Sequence, residues 1–114
     1  MFNLFKKQTQ TNNLSQDEWQ KLLKETKGAV IIDVRSPQEC RSGIIPGAKN
    51  INFFSPNFKS KVAELDNSKS YFVYCRSGNR SGKACAIMSN LGFENAYNLV
   101  GGMMRWNGPV SKFK

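Results

Sequence analysis

"YFVYCRSGNRSGKACAIMSNLG" (residues 71–92) is the stretch on which the rest of the chain turns. Tyr71 to Tyr74 suit a strand and run without a spacer into Cys75. A loop of Arg76, Ser77, Gly78, Asn79 and Arg80 follows, and "SGKACAIMSNLG" (81–92) then reads as a helix. A short continuous apolar run, without alternation, is the pattern of a strand covered on both faces. Two arginines and a glycine beside the thiol argue against an ordinary apolar burial site for it.

Working outward, the same alternation recurs. "SQDEWQKLLKE" (15–25) begins with Ser15 and carries Glu18 three residues on, a capping box, with Trp19, Leu22 and Leu23 on one face. In "GAVIIDVR" (28–35), Gly28 stops the helix that Ser15 opens, and Ala29 to Val34 form a second apolar run, broken only by Asp33. "SPQECRSG" (36–43) is predicted as a short helix with Pro37 in its first turn, "IPGAKNINF" (45–53) as a turn and short strand, and "PNFKSKVAEL" (56–65) as a helix. Beyond the central stretch, "ENAYNLVGG" (94–102) reads as a last strand ending in paired glycines, "MMRWN" as a short helix and "GPVSKFK" as loop. Strands alternating with helices predict an α/β domain with a central parallel sheet. Ligands of such sheets sit at the carboxyl ends of strands, and Cys75 lies immediately past one.

With 114 residues, 39% hydrophobic and 22% charged, the chain is sized for one soluble domain. Residues 1–13 are expected to form a flexible leader, whose Phe2, Leu4 and Phe5 are too few to anchor a membrane, and residues 14–114 the domain. No run of ~18 apolar residues is present, and no apolar segment of signal-peptide type follows Lys6 and Lys7, so a cytoplasmic location is expected. Cys40, Cys75 and Cys85 fit neither a disulfide framework nor a zinc spacing, so no metal is expected. The chain has no histidine, which removes Cys-His proteases and any imidazole acid-base step. A net charge of +9 suits an anionic substrate or an acidic partner, or equally a basic solubilising surface; no nucleic-acid-binding motif accompanies it.

A cysteine between a strand end and a helix start feels the positive helix terminus, inward-turned loop amides and nearby arginines. Such surroundings bring a thiol from a pKa of ~8.5 to between ~3.5 and ~7.5. Arg76 and Arg80 add permanent charge, and Gly78 allows the loop to fold tightly. Cysteine-dependent phosphatases place their arginine after five intervening residues; here Arg80 follows Cys75 after four, and Ser81 stands where that arginine would be. The loop is one residue short for circling a phosphate and suits a single sulfur atom carried as a persulfide.

At this point the chain resembles the single-domain rhodaneses, the thiosulfate or persulfide sulfurtransferases, from about Leu14 to Trp106. "VIIDVRSPQE" (30–39), "GIIPGAKNI" (43–51), "CRSGNRS" (75–81) and "GGMMRW" (101–106) match the family's ordered signatures. Ile44 stands where a histidine is common, and Cys40 where an aromatic is common; both departures predict altered packing. The resemblance implies a mostly parallel five-stranded sheet with helices on both faces and a Cys75 nucleophile that takes sulfur from a small anionic donor. The sulfur then passes to cyanide, a small thiol or a protein thiol, with no cofactor, no membrane and no specific nucleic acid. Arg76, Ser77, Gly78, Asn79, Arg80 and Ser81 would form the sulfur cradle, the two arginines steering the donor or one of them bracing the loop. A phosphatase or arsenate reductase of the same fold and a non-catalytic binding module are the alternatives.

The remaining singular residues have plainer expectations. Asp33 and Arg35 are expected to support the loop from beneath, since an aspartate within an apolar strand needs a hydrogen-bond partner. Cys85 is predicted in the core, while Cys40 is either core filler or a second thiol that resolves the persulfide. Gly101 and Gly102 would turn tightly at the site's mouth, Trp106 pack in the core, and Met103 and Met104 line the entrance.

Overall fold

The computed structural model describes residues 12–114; all but the last two residues of the expected leader, and its apolar trio, lie outside the described residues. Among the described residues five strands and four α-helices follow one another: β1 (Asn13–Leu14), α1 (Gln16–Glu25), β2 (Val30–Asp33), α2 (Pro37–Cys40), β3 (Lys49–Asn50), α3 (Phe58–Ala63), β4 (Tyr71–Tyr74), α4 (Asn79–Asn90) and β5 (Ala96–Leu99), with a closing 3₁₀ turn at Gly102–Arg105. The sheet order is β1-β5-β4-β2-β3 and every strand pairing is parallel. The edge strand β1 takes in Asn13, which the sequence places in the leader. Its two residues are too short to show any period, and only pairing with Asn98 and Leu99 defines them as a strand. In the tail, read as loop, Ser111 makes an antiparallel bridge with Ile44.

Side-chain alternation along β4 divides the interior in two. Tyr71 and Val73 face a core shared with Ile32, Phe58, Val62, Ala84 and Met88, whereas Phe72 and Tyr74 face Trp19, Ile45 and Leu99. Helices α3 and α4 therefore cover one face of the sheet and α1 the other. All four β4 residues are buried, which is why the sequence shows a continuous apolar run there. Trp19, fully buried, meets Phe72, Tyr74 and Trp106 edge-on with centroids 5.6, 6.3 and 5.7 Å away. Its indole N–H donates to the Tyr97 carbonyl at 3.2 Å. Trp106 is half-buried against this second core.

Local chemistry fixes the helix starts. Ser15 and Glu18 form the expected capping box on α1, and Ser36 and Glu39 form another on α2, each cap being worth about 1 kcal/mol. Cys75 follows the central strand β4, and the carboxyl ends of β2 and β5 flank it.

Candidate active site around Cys75

Gly78 controls the loop's shape. Its φ of +100° is a left-handed conformation that turns the chain directly into α4. The helix thus begins at Asn79, two residues before the Ser81 start that the sequence suggests. That tight entry brings donors to the sulfur: Sγ of Cys75 accepts from the Gly78 N–H at 3.1 Å, the Ser81 N–H at 3.4 Å and the Ser81 hydroxyl at 3.3 Å. The Asn79 N–H is spent on Ser77 Oγ instead, at 3.3 Å. Burial pushes the Cys75 thiol up, but the hydrogen bonds from Ser81, Gly78 and Ser77 outweigh it, and the group lies below the ordinary thiol range.

The loop is clamped from the chain's far end. Met103 and Met104 donate their N–H groups to the carbonyls of Cys75 and Arg76, both at 3.0 Å. Gly102, with φ +54°, makes this approach feasible, because a Cβ there would stand 2.5 Å from both carbonyl oxygens. The paired glycines therefore do turn tightly against the site.

The two loop arginines have different surroundings. Arg80 grips Glu39 with two bonds of 2.8 and 2.9 Å and lies over the Phe54 ring at 5.4 Å. Its hydrogen bond drives the Glu39 carboxyl down to about 2, and Glu39 in turn raises Arg80. Arg76 is exposed and has no ion pair among the described residues. It lines a cleft of about 510 Å³ together with Arg35, Glu39, Met103 and Met104. Cys75 itself is 0% exposed and is not among the residues that line the cleft.

Beneath the α2 side of the cleft, Asp33 and Arg35 form a buried, bidentate pair with a closest contact of 2.7 Å. Arg35 also donates to the Gly43 carbonyl at 2.7 Å, tying β2 to the segment after α2. Burial works against the Arg35 charge, and the bond to Asp33 more than restores it. Cys40 Sγ rests 3.4 Å from Asp33 Oδ2; burial first, and that carboxylate second, push its thiol up to about 12. Cys85 packs in the first core, where burial raises it to about 12. No cluster of metal-binding side chains occurs among the described residues, and none of their helices is long and apolar enough to cross a membrane.

Three participants are absent from the sequence-level site. Glu39 carried a signal as the capping partner of Ser36 and as the end of the "VIIDVRSPQE" signature, but nothing pointed to Arg80 as its partner. Asn98, a polar residue in an apolar strand run, is buried beside the loop, where it accepts from Ser81 Oγ and donates to the Gly78 carbonyl. Phe54, 68% exposed, gave no signal at all.

Comparison with known proteins bears on this arrangement. A family model described as "Rhodanese-like domain" matches residues 15–109. A sulfurtransferase of Allochromatium vinosum is 30% identical over 95 residues, covering 83% of this chain and 87% of that protein. The thiosulfate sulfurtransferase GlpE of Pseudomonas entomophila is 36% identical over 87 residues, covering 76% and 78%. The crystal structure of a rhodanese-like domain protein from Staphylococcus aureus superimposes with a TM-score of 0.76 at 28% identity, covering 90% of this chain and 98% of that one.

Proposed function

This chain belongs to the family of rhodanese-like domains, and from that premise we propose that it is a sulfurtransferase whose Cys75 carries sulfur between a donor and an acceptor. The supporting observation is the Cys75 sulfur itself, held by three donors at the start of α4 and kept below the ordinary thiol range. Names of relatives such as GlpE point to thiosulfate as donor. The Cys75 thiolate attacks the outer sulfur of thiosulfate, the S–S bond breaks, and sulfite leaves with the bonding pair. The outer sulfur of the resulting persulfide carries the negative charge. Cyanide, a small thiol or a protein thiol then attacks that sulfur, and the thiolate of Cys75 is regenerated. Each half-reaction conserves charge and needs neither metal nor cofactor.

The residues take roles that follow from their contacts. Arg76, in the cleft wall with no ion pair among the described residues, attracts the anionic donor; Arg80, held by Glu39, braces the helix start. The loop amides stabilise the charge on sulfur, as donors aimed at developing charge do in other sites. Asp33 and Arg35 hold the cleft floor. Nothing favours a phosphatase: Ser81, where a phosphatase arginine would stand, turns its hydroxyl to the sulfur. Initial rates with thiosulfate and cyanide both varied test the reading. Parallel double-reciprocal lines are expected from a two-step transfer, and intersecting lines with no burst of sulfite contradict it.

A further inference from the structure

Asn98 reaches the underside of the Cys75 loop from β5 and is 4% exposed. Its Nδ2 donates to the Gly78 carbonyl at 3.1 Å and to Asn13 Oδ1 at 2.8 Å. A carbonyl oxygen only accepts, so the Gly78 contact fixes which end of the amide is which and leaves Oδ1 facing Ser81. The Ser81 hydroxyl consequently has two acceptors, Cys75 Sγ at 3.3 Å and Asn98 Oδ1, and one proton to give.

A second feature, in α4, serves the same contact. Gly82 has ordinary helical backbone, where glycine weakens a helix and alanine would be the better choice. A Cβ at Gly82 would lie 3.3 Å from Asn98 Nδ2. The missing side chain leaves Asn98 the space to reach both Ser81 and Gly78.

We infer that Asn98 is a positioning residue that directs the Ser81 O–H: toward Sγ while Cys75 is a thiolate, and back to Asn98 Oδ1 once the charge has moved to the outer sulfur of the persulfide. This assignment rests on the transfer reading above for its second state. The hydroxyl rotates about Cβ–Oγ; no bond to hydrogen breaks and no charge is created. In the persulfide the inner sulfur is neutral and a weaker acceptor, so a buried hydroxyl without Asn98 would lose its partner. With Asn98 present, its proton is satisfied in both states. Arg80 and Cys85, both on α4, couple electrostatically to Cys75, and Asn98 on β5 adds no charge of its own.

The test is the pH midpoint of Cys75 ionisation, followed by the ultraviolet absorbance of the thiolate as the difference between each protein and its Cys75→Ser counterpart. Removing the competing acceptor with Asn98→Ala lowers the midpoint by about half a pH unit, the scale of one redirected hydrogen bond. Asn98→Asp raises it, because a carboxylate both captures the Ser81 proton and repels the thiolate. In a Ser81→Ala background the Asn98→Ala shift disappears and the Asn98→Asp shift shrinks. Equal shifts with and without Ser81, or no shift in either background, overturn the assignment. Urea denaturation checks folding; should Asn98→Ala not fold, the isosteric Asn98→Asp carries the test, and an undiminished rise in the Ser81→Ala background is then the contrary result. A wild type that takes no sulfur from any donor would end the transfer reading while leaving these midpoints readable.

Discussion

Cys75 and Cys40 are both fully buried, yet their sulfurs meet opposite surroundings. Cys75 receives two backbone N–H groups and a hydroxyl at the start of α4, whereas Cys40 lies against the Asp33 carboxylate near the end of α2. Burial raises both Cys40 and Cys85 to about 12, and at Cys40 the Asp33 carboxylate adds to it. The direction at Cys75 is reversed only because donors aim at it. What decides a buried cysteine's chemistry is the sign of the groups facing it. The same lesson separates the arginines: Arg80 is spent on Glu39, whereas Arg76 lines the cleft with no ion pair among the described residues.

The sharpest way to break this contrast is substitution at the two sulfurs. Cys75→Ser is expected to lower sulfur transfer by at least about 10³-fold, while Cys40→Ala keeps activity within about fivefold, as read from thiocyanate formation. Comparable losses would return Cys40 to the role of resolving thiol. Alkylation mapped by peptide mass is a second route. Cys75 is expected to be modified at pH 7 and the other two thiols to stay silent until the protein unfolds or the pH nears their values of about 12.

Gly102→Ala probes the clamp on the loop. Strained φ and a Cβ 2.5 Å from two carbonyl oxygens are expected to cost about 3 kcal/mol in urea denaturation. Gly47→Ala, with open space around its Cβ, carries only the left-handed cost of about 1–2 kcal/mol. Arg76→Ala should raise KM for thiosulfate about tenfold at nearly constant kcat, the effect of one lost charge-assisted contact. The smallest effect belongs to Glu39. Its carboxyl is lowered from 4.5 to about 2, so its stabilisation is complete above pH 4.5 and fades as pH falls through about 2. Arg80→Ala should flatten that part of the melting temperature's acid limb, measured by calorimetry.

Much of the fold is legible in residues whose cause is local. The β4 run, the Ser15 capping box and the glycines after β5 announce a buried strand, a helix start and a tight turn without reference to anything distant. Gly78 is legible too, but its left-handed turn admits Asn79 and Arg80 to α4, and only the geometry shows that the helix starts early. What the chain conceals depends on distant pairing. β1 is a strand because β5 lies beside it, and Glu39 belongs to the site because Arg80, 41 positions away, closes on it. Asn98 is a polar residue in a strand until the loop folds over it.

The central claim, that Cys75 is the buried thiol made ready to carry sulfur, is tested most directly by intact mass. The reduced protein is incubated with thiosulfate and desalted, with Cys75→Ser and Cys40→Ala in parallel. A gain of one sulfur, about 32 Da, in the wild type and in Cys40→Ala, absent from Cys75→Ser and removed by cyanide, is the predicted result. No gain from thiosulfate or from a persulfide donor, or a gain that survives Cys75→Ser, would contradict it.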